Sequence, residues 1–276
     1  SPEKLPRILD MYEELRDDLD DINSIFSGQC CENLRSEVSG VLQRLREAAR
    51  GTFAECANAI RKDPAKNPVV GGAVHPLTKY VMNYLRLLVC FSSTLDEILG
   101  NQRIIGLQPR INQGSNQVST CEDSISVHGR YESPFSVQTC VLMDLLEENL
   151  EAKSKLYKDS AQAFLFLMNN HQYIVHKVKS SEVRSLLSDD WLRKQMSKVR
   201  QSHNGYLRAS WQRVLHCLRD EGIHSSGSSF SSSSVSRTIL KERFRAFNTS
   251  FEEVVKSQQT WIVSDLKLCA DLRISI

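Results

Sequence analysis

Apolar residues recur along this chain at steps of three and four with charged residues between them, and that spacing predicts helix after helix. Leu5, Ile8, Leu9, Tyr12, Leu15, Leu19, Ile22 and Phe26 form one stripe, predicting a helix over 5–26 that Gly28 ends. A second helix is predicted over 31–61 on Leu34, Val38, Val41, Leu42, Leu45 and Ala48, extended by Phe53, Ala57 and Ile60, with Gly40 and Gly51 inside it. Asp63-Pro64 and Asn67-Pro68 close it. Pro76 suits a first helical position, where the missing N–H has no partner to lose. Leu77, Val81, Tyr84, Leu85, Leu88, Phe91, Leu95 and Ile98 follow. They predict one helix to Leu99, about 36 Å long at 1.5 Å per residue.

Residues 100–132 hold Asn, Gln, Ser and Gly with no apolar period, which predicts a long mobile loop. Ser133-Pro134 restarts a helix as N-cap and first turn, with Val141, Leu142, Leu145, Leu146 and Leu150 on its buried side. Asp159 or Ser160 caps the next, which runs to Val178. Asp189-Asp190 precedes a long helix to about Asp220, with Trp191, Leu192, Met196, Val199, Leu207, Trp211, Val214, Leu215 and Leu218 as its inner face. Nine of the twelve residues 225–236 are Ser, so 224–237 is predicted to be a flexible loop. Thr238 starts a further helix on Ile239, Leu240, Phe244, Phe247, Phe251, Val254 and Val255. Trp261-Ile262-Val263 is a turn or extended piece, and Asp265 caps a last helix.

Some eight helices joined by short turns and two polar loops make an all-α chain, arranged as antiparallel hairpins. The expected shape is one elongated rod, with sub-bundles at about 1–99 and 133–276. There is no fixed-period sequence repeat. Composition agrees: only 12 Gly and 7 Pro stand in 276 residues, fewer than a sandwich with many tight turns needs. With 41% hydrophobic and 25% charged residues the chain should fold. The most apolar run, 87–95, is too short to cross a bilayer. Neither end carries a start or stop signal, and both are expected to be cut points in a longer natural chain. Of eight cysteines no pair has CxxC spacing; Cys90 and Cys140 are expected in the core, and a reducing cytosolic compartment fits.

Chemistry-bearing motifs are absent. There is no GxGxxG, no GxxxxGK[ST], no HExxH and no GxSxG, so neither a cofactor, a metal nor an enzyme is expected. Gly71-Gly72 follows no strand and reads as a loop. Trp191, Trp211 and Trp261 sit at helical spacing and read as core. The formal charge of +2 excludes a globally basic nucleic-acid binder. The charge is nevertheless uneven. Residues 1–37 carry a net −6, and residues 177–219 a net +7. Lys177, Lys179, Arg193, Lys194, Lys198 and Arg200 are therefore candidates for contacting anionic lipid or an acidic partner, each worth about 1 kcal/mol beside an anionic leaflet. Grooves between hairpins could instead take a partner's helix or an aromatic anchor.

Three stretches carry a family resemblance. Gly71-Gly72-Ala73-Val74-His75-Pro76-Leu77 through Tyr84-Leu85, Asn169-Asn170-His171-Gln172-Tyr173 with Asp189-Asp190-Trp191, and Glu242-Arg243-Phe244-Arg245-Ala246-Phe247-Asn248 through Trp261 to Ile276 resemble plant Exo70 proteins in that order. The resemblance covers the chain from about residue 5 onward. It implies a non-catalytic subunit of the exocyst, which tethers secretory vesicles to the plasma membrane, built as a rod of helical bundles of the Exo70/cullin-repeat kind. It also implies a cytoplasmic protein recruited peripherally to the plasma membrane. The implied partners are other exocyst subunits, Rho-class small GTPases, phosphoinositide membranes and, in plants, pathogen effector proteins. The family's best-known lipid-binding cluster lies near its extreme C-terminus, a part expected beyond Ile276, so no lipid-site residue is carried over. The alternative reading is a stand-alone peripheral module that binds anionic lipid.

Overall fold

Apolar stripes with polar separators fold into helix here, and no strand occurs among the described residues. The computed structural model of the chain describes residues 1–64, 66–100, 133–219 and 232–276. In chain order the helices are α1 (Leu5–Asp17), α2 (Leu19–Ile25), α3 (Glu32–Lys62), α4 (Pro76–Leu88), α5 (Ser92–Leu99), α6 (Pro134–Ser154), α7 (Ser160–Lys179), α8 (Asp189–His216), α9 (Ser232–Gln258) and α10 (Leu266–Ser275).

Two predicted helices prove to be interrupted. At Asp18 the backbone flattens to ψ −8° and separates α1 from α2. The expected helix over 76–99 is broken by a 3₁₀ turn, Val89–Phe91, where an i→i+3 bond from Ser92 N–H to Val89 O interrupts the α ladder. That turn leaves Cys90 exposed, so it is not the core thiol expected; Cys140 is only half-buried, and among the described cysteines Cys56 is the buried one. Burial pushes the Cys56 thiol up to about 12. Of the expected loop at 100–132, Gly100 closes α5 and residues 101–132 lie outside the described residues. So do residues 224–231 of the expected serine loop, while Ser232–Arg237 belong to α9, which starts six residues before Thr238. Serine costs a helix little near its start.

The contacts divide the chain into two units that do not follow the halves 1–99 and 133–276. One unit is Ser1–Pro64, Lys79–Asn149 and Val178–Asp189; the other is Ala65–Thr78, Leu150–Lys177 and Asp190–Ile276.

In the first unit α1 packs on α3. Leu5, Leu9 and Tyr12 of α1 and Phe53, Cys56 and Ile60 of α3 are fully buried, and Phe53 meets Phe135 of α6 edge-on at 6.2 Å. The open ends of helices are closed by side chains. Asp96 Oδ1 accepts from Phe135 N–H at 2.8 Å, beside Ser133 Oγ, which accepts from Ser136 N–H at 3.2 Å, at the start of α6. Asn149 Nδ2 donates to the Ile60 and Asp63 carbonyls at 3.1 and 3.0 Å at the end of α3. A charged cluster ties α1, α3 and α5 together. Tyr12 donates to Glu97 at 2.6 Å, Arg46 donates to both at 2.6 and 2.9 Å, and Arg16 reaches Glu97 at 3.3 Å. Partial burial pushes the Glu97 carboxyl up, and the bonds from Tyr12, Arg16 and Arg46 outweigh it and hold the group below its ordinary value of 4.5.

In the second unit Ala161, Leu165 and Met168 of α7, Tyr206 of α8, and Leu268 and Leu272 of α10 form a core, with Trp211 and Trp261 packed against it as expected. Asp265 caps α10 through a bond from Leu268 N–H at 2.8 Å, and Asp159 accepts from Ala161 N–H at 2.8 Å at the start of α7, both as the sequence predicts. Beside this core two adjacent asparagines of α7 bind segments remote in sequence. Asn169 Nδ2 donates to Gly72 O at 2.8 Å and Ile262 O at 2.7 Å, and its Oδ1 accepts from Ser264 N–H at 3.0 Å. Asn170 Oδ1 accepts from His75 N–H at 2.9 Å and Thr78 O–H at 2.7 Å, at the start of α4. Gly71-Gly72 is thus no free loop. Both glycines hold positive φ (67° and 70°), and Gly71 O accepts from Ile262 N–H at 2.8 Å. A Cβ on Gly71 would stand 2.7 Å from Thr260 O.

Two outcomes follow. Asn169→Ala strands the buried Gly72 carbonyl, worth about 1–3 kcal/mol, and two part-buried groups, the Ile262 carbonyl and the Ser264 N–H, so urea unfolding should show a loss of roughly 2 kcal/mol or more. A loss under about 1 kcal/mol would mean that water replaces the amide. The Glu97 contribution to stability is complete above pH about 4.5 and is lost as pH falls through the folded carboxyl's lower value. Unfolding midpoints measured from pH 7 to 3 should therefore drop less steeply below 4.5 in Glu97→Gln than in the parent, from a lower starting point.

Candidate functional site

Helix α8 opens on two acids, and both are paired rather than free. Arg184 pairs with Asp189 and also donates to Leu187 O; Arg193 pairs with Asp190 one turn on. After Asp190 the sequence through Arg219 holds seven Arg and Lys and no Asp or Glu. The helix then sorts its residues by face. Leu192, Gln195, Ser202, Tyr206, Ser210 and Val214 are buried. This inner face is more polar than the sequence suggests, and Gln195, Tyr206 and Ser210 bond to neighbouring helices. Gln195 Oε1 lies 3.3 Å from His171 Nδ1, Tyr206 O–H donates to Gln258 Oε1 at 2.7 Å, and Gln258 Nε2 donates to Ser210 Oγ at 2.9 Å. Burial raises the Tyr206 hydroxyl above its ordinary value against those bonds. Leu215 and Leu218, expected on the inner face, are exposed.

The basic residues occupy the other side. Arg193, Lys194 and Arg200 are exposed and Lys198 is half-buried, so four of the six predicted residues stand within eight residues of one helix, about 10 Å of its length. Lys177 and Lys179 do not join them on α8. Both belong to the last turn of α7; Lys177 Nζ sits 5.5 Å from the Tyr173 ring centroid, a cation–π contact, and Lys179 is exposed. Arg193 shares its charge with Asp190, and Lys194, Lys198 and Arg200 follow it within seven residues.

Sequence reasoning passed over a second surface. Of the apolar residues that predict α9, Leu240, Phe244, Phe251 and Val255 are exposed, and Ser250 is the one residue of α9 buried among those described. The spacing that predicts a helix does not say which flank meets a neighbour. Among the described residues no group of His, Cys, Asp or Glu could hold a metal ion, and no helix is long and apolar enough to cross a membrane.

The chain is similar to known proteins. The family model for the C-terminal part of the Exo70 exocyst complex subunit matches residues 1–276. The Arabidopsis thaliana exocyst complex component EXO70B1 is 40% identical over 276 residues, covering 100% of this chain and 40% of that protein. EXO70C1 of the same organism is 40% identical over 282 residues, with the same two shares. The chain spans about two-fifths of the length of these curated relatives. Among solved structures, Saccharomyces cerevisiae Exo70 superposes with a TM-score of 0.60 at 18% identity, over 99% of this chain and 52% of that one, which shows a shared helical fold.

Proposed function

This chain belongs to the Exo70 family of exocyst components, and on that premise we propose that it serves exocytosis as a non-catalytic helical platform that helps the exocyst hold secretory vesicles at the plasma membrane. The observation that carries the reading is the match of all 276 residues to proteins named as exocyst components. Other exocyst components are partners by membership. Rho-class GTPases, phosphoinositide membranes and a pathogen effector are the further partners we assign to it.

The membrane part of this reading rests on α8. No described helix can span a bilayer, so lipid contact through the described residues runs through side chains on a helix surface. Lys194, Lys198 and Arg200 lie outside the buried face of α8, in a stretch of the helix that holds no Asp or Glu after Asp190. At about 1 kcal/mol each beside an anionic leaflet, three or four such residues give weak attachment, suited to a protein brought to the membrane by several contacts at once. Localisation at the plasma membrane would then be peripheral.

Co-sedimentation with phosphoinositide vesicles at low and at near-physiological salt tests this. Binding should appear at low salt, weaken as ionic strength rises, and vanish in the triple variant Lys194→Glu, Lys198→Glu, Arg200→Glu. Absence of binding at both salts would remove α8 as a membrane face. Exocyst membership is checked separately, by co-purification of the other exocyst components with this chain.

A further inference from the structure

Helices α8 and α9 run antiparallel and side by side. Tyr206 bonds to Gln258, Arg213 pairs with Glu253, and Arg243 donates to Arg219 O just past the end of α8. One flank of the seam holds Trp211 against Phe251. The other flank is an open cavity of about 660 Å³. Ala209 of α8 and Ala246 of α9 face it with no more than a methyl group each, so the seam is not filled there.

The polar side chains around the cavity have nothing else to bond. Arg208, Gln212 and His216 of α8 and Thr249 and Ser250 of α9 line it, and none of these side chains makes a hydrogen bond or ion pair among the described residues. Ser250 weighs most, because it is only 6% exposed. A helical serine ordinarily turns back to a carbonyl of the preceding turn. Ser257 does so to Val254 O at 2.9 Å and Ser275 to Asp271 O at 2.8 Å. Ser250 makes no such bond. A buried hydroxyl without a partner costs stability, and a polar ligand against this wall would recover that cost.

The charge of the lining is positive. It includes Arg208, Arg213 and His216 and no acid. Glu253 reaches Arg213 at 3.2 Å, but the two side chains are 74% and 55% exposed, so the pair is weak. A guanidinium carries five N–H donors, and Arg213 keeps some of them for a second anion. Glu242 stands a turn before Ala246 and outside the lining. The carbonyls that end α8 are occupied: Val214 O, Leu215 O and His216 O accept from the N–H groups of Cys217, Leu218 and Arg219.

We propose that this cavity binds the phosphate monoester of a small polyhydroxylated molecule, of the sugar phosphate or inositol phosphate class. Arg208 and Arg213 take the phosphate, which planar guanidinium groups suit in charge and in geometry. Gln212, Thr249 and Ser250 take hydroxyl groups, since amides and hydroxyls both donate and accept. A volume of about 660 Å³ lies within the range of small-molecule sites. The inference goes beyond the tethering reading and uses none of Lys194, Lys198 and Arg200.

Isothermal titration calorimetry of this chain with glucose 6-phosphate tests it, with glucose and inorganic phosphate as controls. The dissociation constant should be on the order of 0.1–1 mM, at least about tenfold tighter than for either control. Arg208→Gln should weaken binding by about tenfold. Ala246→Leu, which places a larger side chain in the cavity from an exposed position, should weaken it by about tenfold or more. Ser250→Ala should cost about three- to tenfold and leave the unfolding midpoint in place, because the hydroxyl has no partner to lose. Lys241→Gln, exposed and outside the lining, should change nothing, and the triple variant Lys194→Glu, Lys198→Glu, Arg200→Glu should bind like the parent. Failure to saturate below about 10 mM would overturn the proposal. So would equal binding of inorganic phosphate, which would leave an adventitious ion only, or indifference to both Arg208→Gln and Ala246→Leu. Vesicles carrying phosphatidylinositol 4-phosphate then assign the source of the ester. With glucose 6-phosphate bound as expected, loss of vesicle binding in Ala246→Leu assigns it to a lipid headgroup, and retention assigns it to a soluble molecule.

Discussion

A buried carboxamide cannot be left half-bonded, and in the second unit much follows from satisfying one. Asn169 offers two N–H donors and a carbonyl in the interior beside α7, and each finds backbone: Gly72 O, Ile262 O and Ser264 N–H. For those groups to reach one side chain, the 71–72 turn and the extended 261–264 segment must lie together against α7. Their own bond, Ile262 N–H to Gly71 O, closes the arrangement. Neither segment has a regular hydrogen-bond ladder, so the amide stands in for one. The positive φ of Gly71 and the closeness of Thr260 O then admit no side chain at that position. Asn170 extends the same logic to His75 and Thr78, fixing how α4 begins. The entry to α10 and the entry to α4 are both positioned from two adjacent residues.

Much of the helical plan was legible because it is local. Caps at Ser133, Asp159 and Asp265 and the stripes of α3, α6 and α7 depend on residues within a turn or two of each other. What was not legible depends on distance. Gly71-Gly72 looks like an isolated turn until its partner, 97 residues from Gly72, is known. The break at Val89–Phe91 changes neither composition nor period strongly enough to show. The pairing of Asp189 and Asp190 with Arg184 and Arg193 turns an acidic helix start into a neutral one, which a charge count over 177–219 registers only as a sum.

The candidate site divides in the same way. That α8 carries cations without acids is plain in the sequence, and the helix sets four of the predicted residues on one stretch. That Lys177 rests on Tyr173 is a matter of three-dimensional placement. So is the exposure of Leu215, Leu218 and the apolar flank of α9. Periodicity finds a stripe, but whether a neighbour covers it is decided by the neighbour.

Helix α9 shows what that exposure means energetically. Helices of this kind draw most of their stability from burying an apolar face, since propensity alone is marginal in water. Among its described residues α9 buries Ser250, half-buries Ile239, Arg243, Phe247, Val254 and Gln258, and is held largely by the Tyr206–Gln258–Ser210 chain and the Arg213–Glu253 pair. These bonds fasten its second half, Arg243 donates to Arg219 O in the first, and Leu240 and Phe244 stay in water. Hydrophobic burial is therefore thinnest in the first half of α9, and its bonds to α8 set its register.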